Sequence, residues 1–432
     1  MKFSLRILLY IAAIAAVLVI TGVLLEQPDL YKPCSIIAAL SLSLGLGGVE
    51  SLKGYRYTAW IITAVVAGLM YPQAFTQWGS VNLRDKTLML LVIQLVMFGT
   101  GTQMSLKEFN GIATTGKGVL VGMFCQFTIM PFMGFFLTKI FHFEPEIAAG
   151  IILIGCCSSG LASNVMVYLS KANLVLSVLV TAMATLAAPL LTPLMMKLLA
   201  GTLVEVNFMN MMMDIVKMVI VPIGAALLHD YLKTAGKKQK KRVYFAGLLS
   251  VVWIICLLLM KKENNGMAGL SQAILFTGFL AGAIIAAIVY HFLYTRFKKI
   301  NEWMPLISMA GIIYFTVVTT AAGRDSLLKV GFLLFLAAFL HNTMGYFLGY
   351  WFSRLLKLDI PSARTIAFEV GLQNGGMASG IAGSMGKLGT VGLAAAVFSP
   401  WMNISGSILA NYWRKKTEKM ESEITSTTHQ TI

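Results

Sequence analysis

The feature that most constrains this chain of 432 residues is the recurrence of apolar runs near 20 residues long along almost its whole length. Runs of this length can cross the hydrocarbon core of a bilayer as helices. The composition is 57% hydrophobic and only 12% charged, with a mean hydropathy of +0.78. That leaves too little polar surface for a water-soluble protein of this size. Since an open sheet facing lipid would leave its backbone unpaired, the sequence predicts an all-α polytopic membrane protein.

Fourteen apolar segments are predicted to span the membrane. The first one follows Lys2 and Arg6 and is too long for a cleaved secretory signal, so we interpret it as a retained signal-anchor helix. The predicted spans are 5–25, 33–50, 57–76, 86–103, 116–139, 147–170, 174–200, 209–231, 243–260, 269–292, 303–322, 329–353, 363–385 and 388–412.

The basic residues that produce the net charge of +16 lie mainly between these spans. With the N-terminus in the cytoplasm, 23 of the 34 Lys and Arg residues fall in cytoplasmic loops and 10 fall outside. This bias is typical of membrane topology signals, and it predicts cytoplasmic N- and C-termini rather than nucleic-acid binding. Lys217 lies within a span, where we expect it to pair with Asp214 on the same helix face.

Three further function classes lack their sequence signals. The five cysteines lie mostly inside spans, so they indicate no disulfide framework. No His/Cys set has the spacing of a zinc site. No GxxxxGK[ST] motif is present to cradle the phosphates of ATP.

Two segments rich in small and amide residues interrupt the apolar pattern: GCCSSGLASNVMVYLSKAN at 155–173 and AFEVGLQNGGMASG at 367–380. Each lies in the penultimate span of a block of five. Paired interruptions in corresponding halves predict inverted repeats with discontinuous helices near the bilayer midplane. Broken helices expose carbonyl oxygens to a cation and direct partly positive helix N-termini toward an anion.

Glu369, in the second of these segments, is the most informative single residue, because a carboxylate at membrane depth needs partners. Ser177 and Thr181 are four residues apart, so their hydroxyls share one helical face. Hydroxyl, amide and carboxylate oxygens are the ligands that hard cations prefer. The pattern therefore indicates a cation site.

The sequence resembles the bile acid:sodium symporter family over roughly residues 52–415. Order, spacing and context all agree in the four stretches that carry the resemblance. They are FGTGTQMSLKEF (98–109), GCCSSGLASNVMVYLSKANLVLSVLVTAMATLAAPLLTP (155–193), RTIAFEVGLQNGGMASG (364–380) and FSPWMNISGSILANYW (398–413).

The resemblance implies ten helices in two inverted five-helix repeats, with a panel domain, a core domain and two crossing discontinuous helices. The first repeat is expected at 52–202 and the second at 203–415. The chain then has about four extra helices, two in an N-terminal extension at 1–51 and two in an insertion at about 240–295. Residues 416–432 are polar and are predicted to form a disordered cytoplasmic tail.

The resemblance also implies two sodium sites that share Glu369. By position, the first set comprises Ser163, Asn164, Ser177, Thr181 and Glu369. The second set comprises Gln126, Glu369, Gln373 and the backbone carbonyls of Val370 and Leu372.

Asn374 and Asn403 fall where the family contacts its organic-anion substrate. Ser158 and Ser159 are included in the expected substrate site, although the family often has Pro and Gly there, and Leu161 stands where it often has Thr. The resemblance thus implies an organic anion without specifying which. Steroid conjugates, hydroxy or keto acids and sulfonates all stay open.

The residues themselves also admit simpler interpretations. One alternative for Glu369 is a neutral carboxylic acid bonded to a backbone carbonyl, which also suits a proton-coupled carrier. The alternative for Ser177 and Thr181 is hydrogen bonding to carbonyls of their own helix. Cys156 and Cys157 are either packing residues or ligands for a soft metal or arsenite.

From these observations we expect a transporter rather than an enzyme: a sodium-coupled symporter of a small organic anion in the bacterial inner membrane, working by alternating access. Its expected partners are sodium ions, the organic anion and the lipid bilayer, with no nucleic acid and no obligate protein partner. The alternatives are a proton-coupled carrier or arsenite-type exporter and, from another class, a membrane ligand sensor without transport.

Overall fold

The structure, a computed structural model, describes residues 2–49, 52, 55–263 and 272–430, which are almost entirely helical. The α-helices are α1 Lys2–Leu24, α2 Pro28–Gly45, α3 Arg56–Met70, α4 Lys86–Gly101, α5 Ile112–Phe141, α6 Pro145–Cys156, α7 Leu161–Leu169, α8 Leu174–Ala200, α9 Phe208–Ile215, α10 Val221–Thr234, α11 Lys237–Glu263, α12 Gln272–Arg296, α13 Ile300–Ala322, α14 Arg324–Leu355, α15 Ile360–Gly371, α16 Gly375–Ser384 and α17 Leu393–Gln430.

Short elements complete the described chain. A π-helical turn, Val216–Ile220, joins α9 to α10 without a break. Strands β1 and β2 form a two-residue antiparallel hairpin between α3 and α4 with Gln77 opposite Asn82, and the 3₁₀ helices are short connectors. These elements are β1 Gln77–Trp78 and β2 Val81–Asn82 with 3₁₀ helices Leu46–Gly48, Pro72–Phe75 and Leu106–Gly111.

The prediction of an all-α polytopic membrane protein is confirmed. Ten continuous helical stretches are long and apolar enough to cross a membrane within the described residues. Two further predicted spans are the shorter helices α3 and α4, and the remaining two are the pairs α6–α7 and α15–α16. Some predicted positions lie outside the described residues: the boundary near residue 51, the beginning of the span at 269–292 and the last two residues of the tail.

The polar tail differs from its prediction. Helix α17 continues to Gln430, so residues 416–430 are helical rather than disordered. The sequence after Trp413 is rich in Lys and Glu, which are good helix formers, and it extends a helix that packing has already nucleated. Glu418 also lies 3.8 Å from the amine of Lys171 at the end of the α7 segment.

One group of helices forms a row, here named the panel layer. In order of packing, the row is α1, α2, α3, α13, α4, α10, α12 and α11. The N-terminal extension therefore joins one end of the row through α2, and the insertion joins the other end through α12. A small cluster that includes Ala226, Ala287 and Tyr290 anchors the insertion to α10.

The other group, here named the crossing layer, comprises α5–α8 and α14–α17. Helix α5 packs against α6 and α8, and α14 packs in the same way against α15 and α17. This recurrence of neighbours agrees with two five-helix repeats, although their inversion and their boundaries stay predictions. The layers meet where α16 lies against α4 and α13, with an ideal Cβ on Gly380 only 3.1 Å from Ile93.

Close backbone approach in the crossing layer leads to a prediction for Gly150 in α6. A Cβ at this position would lie 2.2 Å from the backbone carbonyl oxygen of Val391, which has no side-chain freedom to move aside. We expect Gly150→Ala to lower the free energy of unfolding by about 1–3 kcal/mol, as overpacked core substitutions do. Thermal unfolding of the purified protein in detergent measures this.

Gly116→Ala in α5 is the matched control, because a Cβ there meets no atom within 4 Å. It should leave stability unchanged or raise it by roughly 0.5–1 kcal/mol through helix propensity. Equal effects of the two substitutions would contradict the packing of α6 described here.

Candidate functional site

The two interrupted helices meet at their breaks. Helix α6 ends at Cys156 and α7 begins at Leu161, while α15 ends at Gly371 and α16 begins at Gly375. Ser159 and Gln373 form an isolated antiparallel bridge. The amide of Gly160 donates to the Leu372 carbonyl (3.3 Å), and the amide of Asn374 donates to the Ser158 carbonyl (2.9 Å). The predicted crossing is thus a reciprocal backbone contact.

Breaking a helix leaves carbonyl oxygens without their usual donors, and buried carbonyls need replacements. Side chains from neighbouring helices supply several of them. Thr192 donates to the Cys156 carbonyl (2.7 Å), and Gln126 donates to that of Cys157 (2.6 Å). On the other segment, Asn342 donates to the Gly371 carbonyl (2.7 Å). The breaks are therefore built into the fold rather than being frayed helix ends.

Glu369 is fully buried beside this crossing. Ser177 Oγ lies 2.5 Å from its Oε1, while Ser159 Oγ and Thr181 Oγ1 lie 2.5 and 2.8 Å from its Oε2. No ion pair within 4.0 Å joins Glu369 to a basic side chain anywhere in the described parts of the chain. Hydroxyl oxygens are thus the immediate partners of a buried carboxylate.

The residues of the first predicted sodium set do come together. Asn164 Oδ1 lies 2.7 Å from Ser177 Oγ and 3.4 Å from Thr181 Oγ1. Ser163 Oγ is at the edge of the group, 3.5 Å from Thr181 Oγ1, and donates to the Gly160 carbonyl. Their role as sodium ligands stays a prediction. The alternative that the hydroxyls of Ser177 and Thr181 bond only to carbonyls of their own helix is wrong, because both donate to the Glu369 carboxylate.

The hydroxyl groups of this cluster have too few hydrogens to place one in every close oxygen–oxygen contact. A serine hydroxyl carries one hydrogen, yet Ser177 Oγ approaches both Glu369 Oε1 and Asn164 Oδ1 within 2.7 Å. With Glu369 ionised and the amide oxygen of Asn164 directed at Ser177, one of these oxygen–oxygen contacts has no proton between its atoms and is electrostatically unfavourable. A small cation placed among the lone pairs would remove that repulsion, so the donor set fits a hard ion such as Na⁺.

Hydrogen bonds connect the side chains of the second predicted set. Gln126 Nε2 donates to Gln373 Oε1 (2.8 Å) as well as to Cys157, and Gln373 Nε2 donates to the Val370 carbonyl (2.6 Å). Gln126 is fully buried, and its Oε1 has no hydrogen-bond partner. The carbonyl of Leu372 faces Gly160 instead. A buried amide oxygen without a donor is the atom in this group most suited to a cation.

Most of the residues predicted to contact the substrate lie around the beginning of α16, and one lies beside Glu369. Asn374 caps α16 by accepting from the Met377 amide (3.0 Å), and Ser158 Oγ accepts from Thr185 Oγ1 (3.2 Å). Asn403 donates to the Ser399 carbonyl one turn earlier in α17 (2.8 Å), and Ser399 Oγ lies against Gly375. These side chains surround the beginning of α16. Ser159, by contrast, lies with Glu369.

Sequence reasoning missed two contributors, Asn342 and Thr185, and assigned a third, Ser159, to the substrate site. Ser159 contacts the carboxylate across 210 positions of sequence, and Asn342 supports the end of α15 while accepting from Ser405 Oγ (2.6 Å). Thr185 continues the face of Ser177 and Thr181 by one more turn, a signal that the i, i+4 spacing already contained.

The double donation by Gln126 leads to a second prediction. Gln126→Met keeps the side-chain length but leaves the Cys157 carbonyl and Gln373 Oε1 without this donor. Because unsatisfied buried acceptors are costly, the free energy of unfolding in sodium-free buffer should fall by about 1–3 kcal/mol. Thermal or denaturant unfolding in detergent measures the change.

Thr128→Val on the same helix is the control, because that exposed hydroxyl only bonds to the Phe124 carbonyl of its own helix. It should change stability by less than about 0.5 kcal/mol. A Gln126→Met protein as stable as wild type would show that these two acceptors do not depend on the amide.

Comparisons with known proteins find sodium-dependent transporters. Residues 90–269 match the model of the sodium bile acid symporter family. The chain is similar to the uncharacterized sodium-dependent transporter YocS of Bacillus subtilis, 32% identical over 375 residues, which cover 87% of this chain and 95% of that protein. It is also 27% identical to the human ileal sodium/bile acid cotransporter over 294 residues, 67% of this chain and 66% of the relative.

Proposed function

This chain belongs to the sodium bile acid symporter family, and on that premise we propose that it is a symporter that couples inward sodium movement to the uptake of a small organic anion. The chain is an integral membrane protein of a sodium-dependent transporter family, and its relatives are transporters. The coupling ion's location, the number of ions and the substrate are the proposed parts.

The single observation that carries the proposal is the oxygen-rich cluster around Glu369. Its carboxylate is fully buried and has no basic partner within 4.0 Å in the described chain. Such a group is costly at membrane depth unless a counter-charge is supplied. A sodium ion among Glu369, Ser177, Thr181 and Asn164 supplies that charge. It binds to the oxygen lone pairs that accept no hydrogen bond from a hydroxyl group.

A second sodium ion is proposed beside Gln126 and Gln373. Gln126 Oε1, which has no hydrogen-bond partner, supports it, and so does the Val370 carbonyl, which is linked to Gln126 through Gln373. Both are uncharged oxygens of fully buried residues. Two monovalent cations and one carboxylate leave the crossing with a net charge of +1. That excess favours a monovalent anion nearby, where its charge completes the neutralisation.

We place the organic anion at the beginning of α16, near Asn374, Ser158 and Asn403. The first amides of a helix point outward and carry partial positive charge, so they attract a carboxylate or sulfonate. Asn374 and Asn403 add amide groups that can donate to such oxygens. Ser159 is proposed here as part of the sodium cluster, since it bonds to the carboxylate rather than facing the α16 terminus.

Transport requires that this site open to each side in turn. We propose that the crossing layer and the panel layer move relative to each other along the contact of α16 with α4 and α13. The excess of basic residues in alternate loops supports cytoplasmic termini, and similarity to a bacterial transporter supports the inner membrane as location.

The arsenite-type alternative has less support from the site. Cys156 and Cys157 are both fully buried, with no solvent-accessible surface on either residue. Their backbone carbonyls, not their thiols, take part in the bonds at the break. Proton coupling is distinguished from sodium coupling by the experiments that follow.

Sodium binding is tested by thermal stabilisation. An ion that binds only the folded protein raises its stability, by roughly 2.7 kcal/mol at a hundred times its dissociation constant. We expect Na⁺ but not K⁺ to raise the unfolding temperature of the wild type. Glu369→Gln should lose most of this increment, and Ser177→Ala should lose part of it.

Glu302→Gln in the exposed first turn of α13 is the matched carboxylate control and should keep the full sodium response. The assignment of the ion site is wrong if Glu369→Gln, folded and monodisperse, gains as much stability from Na⁺ as the wild type does.

Transport itself is tested in proteoliposomes with a labelled anion selected by thermal-shift screening of taurocholate, pyruvate and methanesulfonate. We expect an inward sodium gradient to drive accumulation, and sodium-loaded vesicles to show counterflow. Replacing the sodium gradient by a proton gradient should abolish accumulation, since no proton is needed in the scheme. Binding without counterflow would instead identify a ligand sensor, and accumulation driven by protons alone would identify a proton-coupled carrier.

A further inference from the structure

The insertion α11–α12 creates a groove that has no part in the sodium site. Its cavity volume is about 980 Å³, within the range of ligand pockets. Helices α4, α10, α11 and α12 line it, together with the π turn. Among the residues that line it, only Lys217 carries a charge, and nearly all the others are apolar.

Lys217 does not form the expected pair with Asp214. No ion pair within 4.0 Å involves either residue in the described chain. The π turn Val216–Ile220 explains the difference, because it holds more residues per turn than an α-helix and moves residues three apart off a common face. The Lys217 amine lies instead 5.7 Å from the ring centroid of Phe279 on α12, and it lines the groove.

The groove is long, and different residues line its two ends. The lining residues of α12 run from Leu275 to Leu293, about 27 Å at 1.5 Å per residue, which is close to the thickness of a hydrocarbon core. Lys217 and Phe279 lie toward one end. The other end is bordered by Phe98 and Tyr290, whose rings meet edge to face at 5.0 Å.

The groove opens sideways toward the bilayer. Leu91, Leu258 and Val289 line it and are each more than half exposed. Lys217 lies nine residues, or about 14 Å, from the beginning of α9, within reach of the nearer headgroup region for a long side chain that snorkels. A molecule from the bilayer can therefore enter without crossing the protein.

We propose that this groove is a binding site for an anionic phospholipid, with its phosphate at Lys217 and an acyl chain along α10 and α12. One cation at the end of an apolar slot complements a ligand with one anionic end and a long apolar body. A small soluble anion has no chain to occupy the slot. A zwitterionic lipid brings its own cation to the headgroup and gains less from the lysine. The lipid then fills the space between the insertion and the rest of the panel layer.

The test measures lipid retention by native mass spectrometry on delipidated, purified protein, to which phosphatidylglycerol or phosphatidylcholine is added. The wild type should retain phosphatidylglycerol preferentially. Lys217→Gln should lower that retention about fivefold, the effect of one basic residue near an anionic headgroup. Lys139→Gln is the matched control, because Lys139 also lies over a ring, that of Phe135 at 5.3 Å, but outside the groove.

A second pair of variants tests the position of the chain. A Cβ at Gly282 meets no atom within 4 Å, so the side chain of Gly282→Leu should extend into the groove and abolish specific retention. Gly224→Leu, equally open but outside the groove, should retain the lipid. The proposal fails if the wild type does not discriminate between the two lipids, if Lys217→Gln and Lys139→Gln behave alike, or if taurocholate displaces phosphatidylglycerol completely.

Discussion

The fold depends on one interaction, the burial of the Glu369 carboxylate among hydroxyl groups where two broken helices meet. A negative charge at this depth is tolerable only if neighbouring groups are arranged around it. Ser177 and Thr181 come from the continuous helix α8, whereas Ser159 comes from the break between α6 and α7. The carboxylate therefore connects α8, α15 and the α6–α7 break, and the oxygen atoms gathered there are the basis of the sodium site proposed above.

The crossing also replaces some of the backbone hydrogen bonds that are lost where the two helices break. Each interruption removes helical hydrogen bonds in a place where water is scarce, and buried backbone groups without partners are costly. The two breaks hydrogen-bond to each other. The amide of Gly160 donates to the Leu372 carbonyl, and the amide of Asn374 donates to the Ser158 carbonyl. Amide and hydroxyl side chains from α5, α8 and α14 satisfy several of the remaining carbonyls. Polar residues that look out of place in apolar helices, such as Asn342, are needed for this reason.

Much of this architecture is predictable from sequence because bilayer thickness sets the length of each span. The breaks are predictable because Gly, Ser and Asn cluster there, and the hydroxyl face of α8 follows from the spacing of Ser177 and Thr181. Long-range partners are harder to predict. Nothing near Ser159 in sequence indicates Glu369, and the π turn that separates Lys217 from Asp214 has no clear sequence signal. The helical continuation of α17 was missed because polarity alone does not distinguish a solvated helix from a disordered tail.

The two additions to the chain lie at opposite ends of the same layer. α1 and α2 extend the panel layer beyond α3, while α11 and α12 extend it beyond α10, and neither pair reaches the far side of the crossing layer. The panel layer consequently has the larger perimeter against lipid, and the crossing layer is the narrower body. In the transport scheme proposed above, viscous drag from the bilayer would oppose movement of the wider layer more than movement of the narrower one. The crossing layer, which contains Glu369, would then be the part that moves relative to the membrane.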